Sequence, residues 1–486
     1  MHGQHGIFLQ KKLCDAGKLN SYITSLYTAI YTTVLSGVNL CVTIAKIFFK
    51  DWSAMKTDVL IAGSGCSGLY CALWLPRDKK ITIIAKSELE KNDSHLAQGG
   101  MCVLRDDSDY ESFFEDTMKA GHYKNDRESV DIMIRSSREV LDDLLSYGVD
   151  FTKDGDGTLS YTKEGAHSDK RILYHKDITG KEITSNLLKE VKKLPNVTLL
   201  TYTTMIDLIT KDNVCYGAIL RKEDGSLVKV EAGVTVLATG GIGGLFRHST
   251  NYSHLTGDAL AMAIKHKVKL KDLNYIQIHP TTLYTKQKGE RSFLISESVR
   301  GEGAKLYDKN MNRFVDELLP RDLLTKEIRK QMEKDGTEFV WEDLRTIPEE
   351  ELMSHFPNIV ARCKEMGYDV TKECIPVVPA QHYFMGGIEV DHVSKTSMEQ
   401  LYAIGETACN GVHGKNRLAS NSLLESLVFA KRAAKEICKE LDSIKTDGDI
   451  IEQVDLESYP TKKELTMAYR DMVLNEIQRF RNEEVQ

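Results

Sequence analysis

The residues Gly63-Ser64-Gly65-Cys66-Ser67-Gly68 have the GxGxxG spacing of a loop that binds phosphate. They follow the apolar run "VLIA" and precede the helix-forming run "LYCALWL". In such a loop the first glycine permits a tight turn, the second lets backbone amides approach a phosphate, and the third lets the helix pack closely on the strand. The positive end of the helix dipole favours an anion at the same place. The sequence therefore predicts that the pyrophosphate of a dinucleotide binds here.

The next strand, within "ITIIAKSELE", ends near Lys86 rather than near an acidic residue. The aspartate or glutamate expected at this point holds the ribose of a bound nucleotide. The glycine loop by itself therefore leaves open which nucleotide is bound.

Two histidines and two arginines, far apart in the chain, could together bind a small diacid: His279, Arg321, His382 and Arg417. Arginine forms paired bonds to a carboxylate, and histidine can donate a hydrogen bond to one. Each end of a diacid needs such a group, because a carboxylate removed from water without a partner is destabilised. Taken singly, each of these residues would more often be structural, so the hypothesis depends on the fold that brings them together.

The periodicity of apolar residues indicates the elements that position these side chains. Residues 57–86 read as strand, glycine turn, helix and strand, and residues 110–148 read as helices. A region rich in strands follows, with a hairpin turn at Asp224-Gly225. Residues 273–383 read as mixed helices and loops. A long helix then contains "NSLLESLVFAKRAAKEICKEL".

This order predicts an α/β fold in which a nucleotide-binding domain is interrupted by an inserted α+β cap. Ser420 or Asn421 could cap the long helix, and the tail after it is charged and helical. The predicted parts are an N-terminal extension at 1–54, the nucleotide-binding domain at 55–272 and 384–453, the cap at 273–383 and a short helical tail at 454–486.

Composition narrows the classes of function. The net charge of −7 over 486 residues argues against a nucleic acid or an anionic membrane as partner. None of the ten cysteines belongs to a CxxC pair. This pattern favours free thiols in a cytoplasmic protein over disulfides or a zinc site. No metal site is predicted.

The N-terminal extension has no charged residue between Lys18 and Lys46, a length that could cross a bilayer. This stretch is only weakly apolar, because serine, threonine and asparagine recur along it. We interpret residues 1–54 as an appended or mis-started segment, with the working protein beginning near Met55. A membrane anchor is the alternative.

Three glycine-containing segments narrow the choice of nucleotide: "SHLAQGG" (94–100), "TVLATGG" (235–241) and "LYAIGET" (401–407). Each could be an ordinary strand end, but their joint order resembles the flavoproteins with two dinucleotide-binding domains. That resemblance implies FAD as the cofactor and an FAD-binding, Rossmann-like domain as the fold.

Further motifs extend the resemblance over residues 57–440: "HPT" (279–281), "ESVRGEGAKLY" (297–307), "LPRD" (319–322), "VPAQHYFMGG" (378–387) and "GKNRLASNSLLE" (414–425). In this order they resemble the family of succinate dehydrogenase, fumarate reductase and L-aspartate oxidase flavoproteins. The serine or alanine followed by lysine at the end of the second strand is typical of the L-aspartate oxidase branch, which accounts for Lys86.

The resemblance implies a set of FAD contacts. They are Gly63, Ser64, Gly65, Cys66, Ser67, Gly68, Lys86, Ser94, Ala97, Gln98, Gly99, Gly100, Asp258, Glu406, Ser422 and Leu423. Membrane-bound relatives attach FAD covalently through a histidine, and this chain has Asp93 at that position, with His95 displaced by two residues. Non-covalent FAD is therefore expected.

The resemblance also implies the substrate site. His279, His382 and Arg417 would hold substrate carboxylates, and Ser296 and Glu297 would line the same pocket. Arg321, in "LPRD", corresponds to the arginine that shuttles a proton in the family. Glu302 and Asp322 are the candidates for relaying that proton.

The segment "TKEGAHSDKRILYHKDITG" (162–180) favours one branch. Its Glu164 matches a glutamate of L-aspartate oxidases that faces the substrate ammonium, whereas fumarate reductases lack this sequence. A carboxylate there would attract an amino acid and would only repel fumarate. The tail at 454–486 is shorter than the helical bundle common in that branch.

The expected reaction is oxidation of L-aspartate to 2-iminosuccinate, with oxygen or fumarate reoxidising the flavin. It implies a cytoplasmic enzyme at the first step of NAD biosynthesis, with quinolinate synthase as a possible partner and no membrane partner. A soluble fumarate reductase or succinate dehydrogenase flavoprotein is the first alternative. A non-catalytic flavoprotein or a subunit of a membrane complex is the second.

Overall fold

The computed structural model describes residues 54–286, 291–444 and 446–485. Residues 1–53, with most of the predicted extension and its possible anchor, lie outside the described residues. Internal contacts separate Lys56–Gln486, the unit considered below, from Met1–Met55. The strands are β1 (Ala54–Ala62), β2 (Ile81–Ile84), β3 (Met101–Cys102), β4 (Tyr161–Thr162), β5 (Ile172–Leu173), β6 (Val197–Leu200), β7 (Thr204–Lys211), β8 (Val214–Arg221), β9 (Leu227–Leu237), β10 (Leu270–Lys271), β11 (Ile276–Leu283), β12 (Phe293–Leu294), β13 (Lys305–Tyr307), β14 (Val340–Asp343), β15 (Ile375–Phe384), β16 (Gly387–Glu389), β17 (Leu401–Ala403) and β18 (Ala408–Cys409).

The helices cover the two main sheets. They are α1 (Cys66–Trp74), α2 (Asp93–Leu96), α3 (Tyr110–Ala120), α4 (Arg127–Arg135), α5 (Ser137–Ser146), α6 (Thr179–Val191), α7 (Asp258–Lys265), α8 (Glu297–Gly301), α9 (Arg321–Asp335), α10 (Glu349–His355), α11 (Pro357–Glu365), α12 (Asn421–Glu440), α13 (Gly448–Glu452) and α14 (Lys462–Val485). Within the described ranges, no helix offers a stretch whose length and hydropathy match a bilayer.

The larger sheet has the strand order β6-β2-β1-β9-β8-β7, and β17 joins it beside β9. β1, β2 and β6 run parallel, whereas β7, β8 and β9 form an antiparallel meander. The run Val59–Ala62 is buried on both faces of the sheet, as expected for a parallel strand covered by helices. The predicted strand–turn–helix–strand unit at 57–86 is confirmed.

α1, near the start of the chain, and α12, near its end, pack against each other. Their buried residues share one apolar core with those of β1 and β2. The glycine loop joins β1 to α1. Gly63 has a φ of +127°, and a Cβ there would lie 1.9 Å from the Ala238 carbonyl oxygen. A Cβ on Gly68 would lie 2.2 Å from the Gly63 carbonyl oxygen. Gly63 is therefore required by its left-handed φ and by the adjacent Ala238 backbone, and Gly68 by the close approach of α1 to the loop.

The second sheet has the order β12-β11-β15-β14-β13 and is antiparallel. The interpretation of residues 273–383 as mixed helices and loops missed these strands, although the helices α9 to α11 are there and strands with helices match the α+β character predicted for the cap. A proline in a strand removes a ladder hydrogen bond and interrupts the apolar pattern. Pro280 lies where the β11–β15 register shifts between His279 and Thr282, so the ladder absorbs it at an irregularity.

The predicted helices at 110–148 are confirmed as α3, α4 and α5. The long helix is confirmed as α12, but its capping prediction is wrong. Ser420 occupies the N-cap position with a left-handed φ of 61°, and its side chain makes no capping bond. Its hydroxyl is bonded to Glu164 instead. The predicted helical tail at 454–486 is confirmed as α14, and the short helix α13 lies just before it.

Candidate active site

One cleft, with about 1690 Å³ of space including part open to solvent, runs from the glycine loop to the paired arginines. All the predicted substrate residues line it: Glu164, His279, Ser296, Glu297, Arg321, His382 and Arg417. The predicted cofactor residues that line it are Gly63, Ser64, Gly65, Ser67, Lys86, Ser94, Ala97, Gln98, Gly99, Gly100, Asp258, Glu406, Ser422 and Leu423. Cys66 and Gly68 are not part of its lining, because they face the body of the protein beside the loop.

Lys86 connects the end of β2 to the segment before α7. Its Nζ donates to Asp258 Oδ2 at 2.7 Å, to the His254 carbonyl at 2.8 Å and to Thr256 Oγ1 at 3.0 Å. The lysine that replaces the expected acid is thus paired with an acid from elsewhere in the chain. Both members of the pair face the cleft.

Two carboxyl groups lie in the middle of the cleft. Glu406 is positioned by the Phe384 amide, which donates to it at 3.0 Å, and burial raises the pKa of Glu406 to about 8. Asp93 accepts from the Tyr252 amide at 3.0 Å, and burial raises its pKa to about 7.

Three buried polar atoms of cleft residues have no hydrogen-bond partner among the described residues: Asp93 Oδ2, Gln98 Oε1 and His279 Nε2. Such atoms are costly unless a ligand or water pairs with them. The cleft therefore fits an extended polar ligand, with a glycine loop at one end and cationic groups at the other.

At the cationic end, Arg321 and Arg417 share one acceptor. Arg321 Nη1 donates to Gln277 Oε1 at 2.8 Å, and Arg417 Nε approaches the same oxygen at 3.3 Å. Burial, with the neighbouring Arg321 second, lowers the pKa of Arg417 to about 10. Two buried guanidinium groups side by side repel each other, so an anionic ligand between them would be stabilising.

The histidines stand beside these arginines. The rings of His279 and His382 have centroids 5.2 Å apart and meet edge to face. Burial, followed by the charge of Arg321, lowers the pKa of both well below the usual range, so both are neutral. His279 Nδ1 lies 2.9 Å from the Thr281 carbonyl oxygen and 3.2 Å from the Thr281 amide nitrogen, so backbone groups already engage this ring nitrogen. Nε2 has no partner among the described residues and is the ring nitrogen left for a ligand.

Glu297 is the acidic partner of Arg321, since Arg321 Nε donates to Glu297 Oε2 at 2.6 Å. The same carboxylate oxygen lies 4.0 Å from Arg300 Nη2. The two acids selected from the sequence as a relay have other partners. Glu302 pairs with His355 at 2.9 Å, and Asp322 pairs with His122 at 3.2 Å.

Sequence reasoning missed several side chains of this site. Gln277 precedes His279 by two residues on β11, and that spacing places both on one face of the strand; this signal could have found it. Ser298 and Ser420, which contact Glu164, carried no comparable signal. Tyr383, whose ring lies 4.5 Å below the Arg417 guanidinium, could have been noticed beside His382.

The fold and the cleft are those of an FAD-binding flavoprotein. Residues 58–423 match the family model described as an FAD binding domain. Among solved structures, E. coli quinol fumarate reductase FrdA aligns with a TM-score of 0.77 at 29% identity, covering 82% of this chain and 73% of that one. Mycobacterium smegmatis Sdh1 aligns with a TM-score of 0.71 at 28% identity, covering 86% and 76%. The predicted fold class and the FAD cofactor are confirmed.

Curated relatives identify the branch. The L-aspartate oxidase of Clostridium perfringens is 48% identical over 88% of this chain and 95% of its own length. That of Clostridium acetobutylicum is 49% identical over 79% and 88%, and that of Pseudomonas aeruginosa is 40% identical over 79% and 75%. The chain belongs to the L-aspartate oxidase family.

Proposed function

We propose that the chain is an FAD-dependent oxidase that converts L-aspartate to 2-iminosuccinate, with oxygen or fumarate as electron acceptor. The observation that carries the proposal is the combination of charges at one end of the cleft. Two buried arginines and two neutral histidines suit two carboxylates, and the buried carboxylate of Glu164 suits an ammonium group. An unsubstituted diacid would have no use for Glu164.

Arg417, His279 and His382 would bind the two substrate carboxylates, with Ser296 and Glu297 lining the pocket. Arg417, His279, Ser296 and Glu297 are buried and His382 is half-buried, so ionic bonds of Arg417 to the substrate would form away from water and be stronger for it. Tyr383 supports the Arg417 guanidinium from below. Together they would fix the substrate in one orientation along the cleft.

FAD, when bound, supplies a group that accepts a hydride from the substrate α-carbon. The glycine loop, Lys86, Asp258, Glu406 and the start of α12 would hold it. The carboxylate at Asp93, where membrane-bound relatives have a histidine, supports non-covalent attachment.

Proton transfer is assigned to Arg321. Its guanidinium is 7% exposed and bonded to Glu297, which in turn lies near Arg300. We therefore propose Glu297 and Arg300, rather than Glu302 and Asp322, as the groups that exchange a proton with Arg321. A buried line of alternating guanidinium and carboxylate groups can pass a proton without admitting water to the substrate.

The alternative is a soluble fumarate reductase, which the similarity to the two solved reductase and dehydrogenase structures favours. The proposed setting of the oxidase is the cytoplasm, at the first step of NAD biosynthesis, where quinolinate synthase would consume the unstable imine.

The test is to add L-aspartate without air to the purified yellow protein. The proposal predicts that the flavin is bleached and that added oxygen or fumarate restores its colour. A flavin that L-aspartate does not bleach, but that fumarate reoxidises after reduction by a reduced dye, would instead identify a fumarate reductase. A protein that responds to neither compound would be a non-catalytic flavoprotein.

A further inference from the structure

Two serine hydroxyls hold the Glu164 carboxylate. Ser298 Oγ lies 2.7 Å from Glu164 Oε1, and Ser420 Oγ lies 2.5 Å from Glu164 Oε2. Glu164 is 3% exposed, and the two serines are 8% and 7% exposed. Each oxygen of this buried carboxylate therefore has one hydroxyl partner. The serines come from distant parts of the chain, α8 in the cap and the residue before α12.

The direction of these hydrogen bonds follows from their other partners. The Gly100 amide donates to Ser420 Oγ at 3.1 Å, which leaves the Ser420 proton for Glu164. The Ser298 amide donates to Ser296 Oγ at 3.3 Å, and the Ser296 hydroxyl donates in turn to Ser298 Oγ at 3.2 Å. The Ser298 proton therefore also points to Glu164. Two hydroxyl groups that donate to one carboxyl group favour its ionised form.

We propose that Ser298 and Ser420 are positioning residues that determine specificity for the substrate ammonium, because they keep Glu164 ionised and aimed into the cleft. The inference rests on the proposed oxidation of L-aspartate. It adds Ser298 and Ser420 to the residues that would determine substrate specificity. Neither serine needs to touch the substrate for this role. Fumarate has no ammonium, so its reduction would depend on neither hydroxyl.

The groups around Glu164 have opposing effects on its pKa. The groups that face it are Glu297, Arg321, Arg417 and the Cys102 thiol, which burial keeps neutral. Burial, and then the Glu297 carboxylate, raise the pKa of Glu164 above its usual range, whereas Ser420, Ser298 and Arg321 lower it. Removing a hydroxyl removes one of the groups that favour the charged form, so the pKa of Glu164 would rise further.

The loop that carries Glu164 is held independently of the two serines. His167 Nε2 lies 3.0 Å from the Ala419 carbonyl, and Arg171 Nη1 lies 3.1 Å from His167 Nδ1. The Arg171 side chain is fully buried and also paired with Asp109 and Asp116. Loss of one serine hydroxyl therefore changes the environment of the carboxylate without releasing the loop.

The experiment compares Ser298→Ala and Ser420→Gly with the wild-type holoenzyme. Alanine suits a helical position, and glycine suits the left-handed φ of residue 420. Ser129→Ala is the matched control, because Ser129 is a fully buried serine whose hydroxyl donates to the Asn410 carbonyl outside the cleft. For each protein, flavin content, L-aspartate oxidation and dye-driven fumarate reduction are measured across a range of pH.

We expect each cleft variant to lose about tenfold in kcat/KM for L-aspartate, mainly through KM, as for one hydrogen bond to a charged group. Fumarate reduction and flavin content should stay close to the wild-type values. Because only ionised Glu164 pairs with the ammonium, activity on L-aspartate rises with pH through the pKa of Glu164. If the pKa of Glu164 is higher, this rise in activity occurs at a higher pH. We expect that shift in both cleft variants and not in the Ser129→Ala control.

Equal losses in both reactions would overturn the inference, since a structural defect would act on both. An unchanged rate and pH profile with L-aspartate would overturn it as well. Wild-type flavin that L-aspartate does not bleach would refute the proposed function and the inference together. If L-aspartate bleaches the wild-type flavin but the serine variants have unaltered rates and pH profiles, the inference alone would be refuted.

Discussion

At the residue scale, Gln277 connects the two arginines of the cleft, because it accepts from Arg321 and Arg417 and donates to the Asn416 side chain and the Arg417 carbonyl. Gln277→Leu would remove the acceptor that Arg321 Nη1 and Arg417 Nε share and leave these two buried donors unpaired, at a cost of about 1–3 kcal/mol. We expect kcat/KM to fall about tenfold or more, for L-aspartate and fumarate alike, as 1.4 kcal/mol corresponds to tenfold.

Steady-state kinetics of both reactions check this prediction. Gln331→Leu is the control, because Gln331 is also buried but bonds to Asp335 in the cap. A loss confined to L-aspartate would contradict the shared role of Gln277. The serine variants are expected to affect only L-aspartate oxidation, whereas Gln277→Leu should affect both reactions, because Gln277 contacts arginines that both substrates would use.

At the element scale, the glycine loop depends on how closely α1 approaches β1. Gly68→Ala would place a methyl group 2.2 Å from the Gly63 carbonyl oxygen, which backbone atoms cannot relieve without a shift of the helix. We expect about 1–3 kcal/mol of destabilisation from this overpacking. FAD should also bind more weakly, because the loop amides would move.

Urea unfolding and the flavin retained per chain after gel filtration measure the two effects. Gly155→Ala is the control, since a Cβ at Gly155 meets no atom within 4 Å. A Gly68→Ala protein with full flavin and unchanged stability would show that the helix can shift at no cost.

The elements also show what sequence reasoning could and could not predict. The strand–turn–helix unit and α3 to α5 were predictable, because apolar spacing and glycines report local structure. The cap sheet was not, because Pro376 and Pro379 interrupt the pattern of β15 while cross-strand pairing still holds it. Of the site residues within motifs, all but Cys66, Gly68, Glu302 and Asp322 line one cleft. Gln277, Ser298 and Ser420 act through contacts that only the fold creates.

At the scale of the whole molecule, one buried carboxylate joins the C-terminal segment to the nucleotide-binding sheet. Asp207 on β7 is 2% exposed and pairs with Lys265 and with His266 Nε2 at 2.7 Å, both at the end of α7. The Tyr459 hydroxyl, before α14, donates to Asp207 Oδ2 at 2.8 Å. Tyr469 within α14 also donates to the Ile206 carbonyl at 2.6 Å. The tail is thereby attached to the domain that carries the cleft.

Asp207→Asn should therefore destabilise the whole unit. Burial opposes ionisation of Asp207, but His266, Lys265 and Tyr459 outweigh it, and the pKa of Asp207 is lowered. A lowered folded-state pKa gives stability that is present above the unfolded-state pKa and lost as pH falls through the folded-state pKa. Lys265 is 45% exposed and stays solvated, so the expected cost is that of weakening the hydrogen bonds from His266 and Tyr459 to a charged acceptor, about 1.5–3 kcal/mol. Urea unfolding at neutral pH should show this loss, whereas in acid the free energies of unfolding of the variant and the wild type should converge.

The control is Glu457→Gln, an exposed change in the same segment, which should leave stability unchanged at both pH values. A deficit for Asp207→Asn that persists undiminished in acid would mean that packing, rather than the charge of Asp207, holds the tail in place.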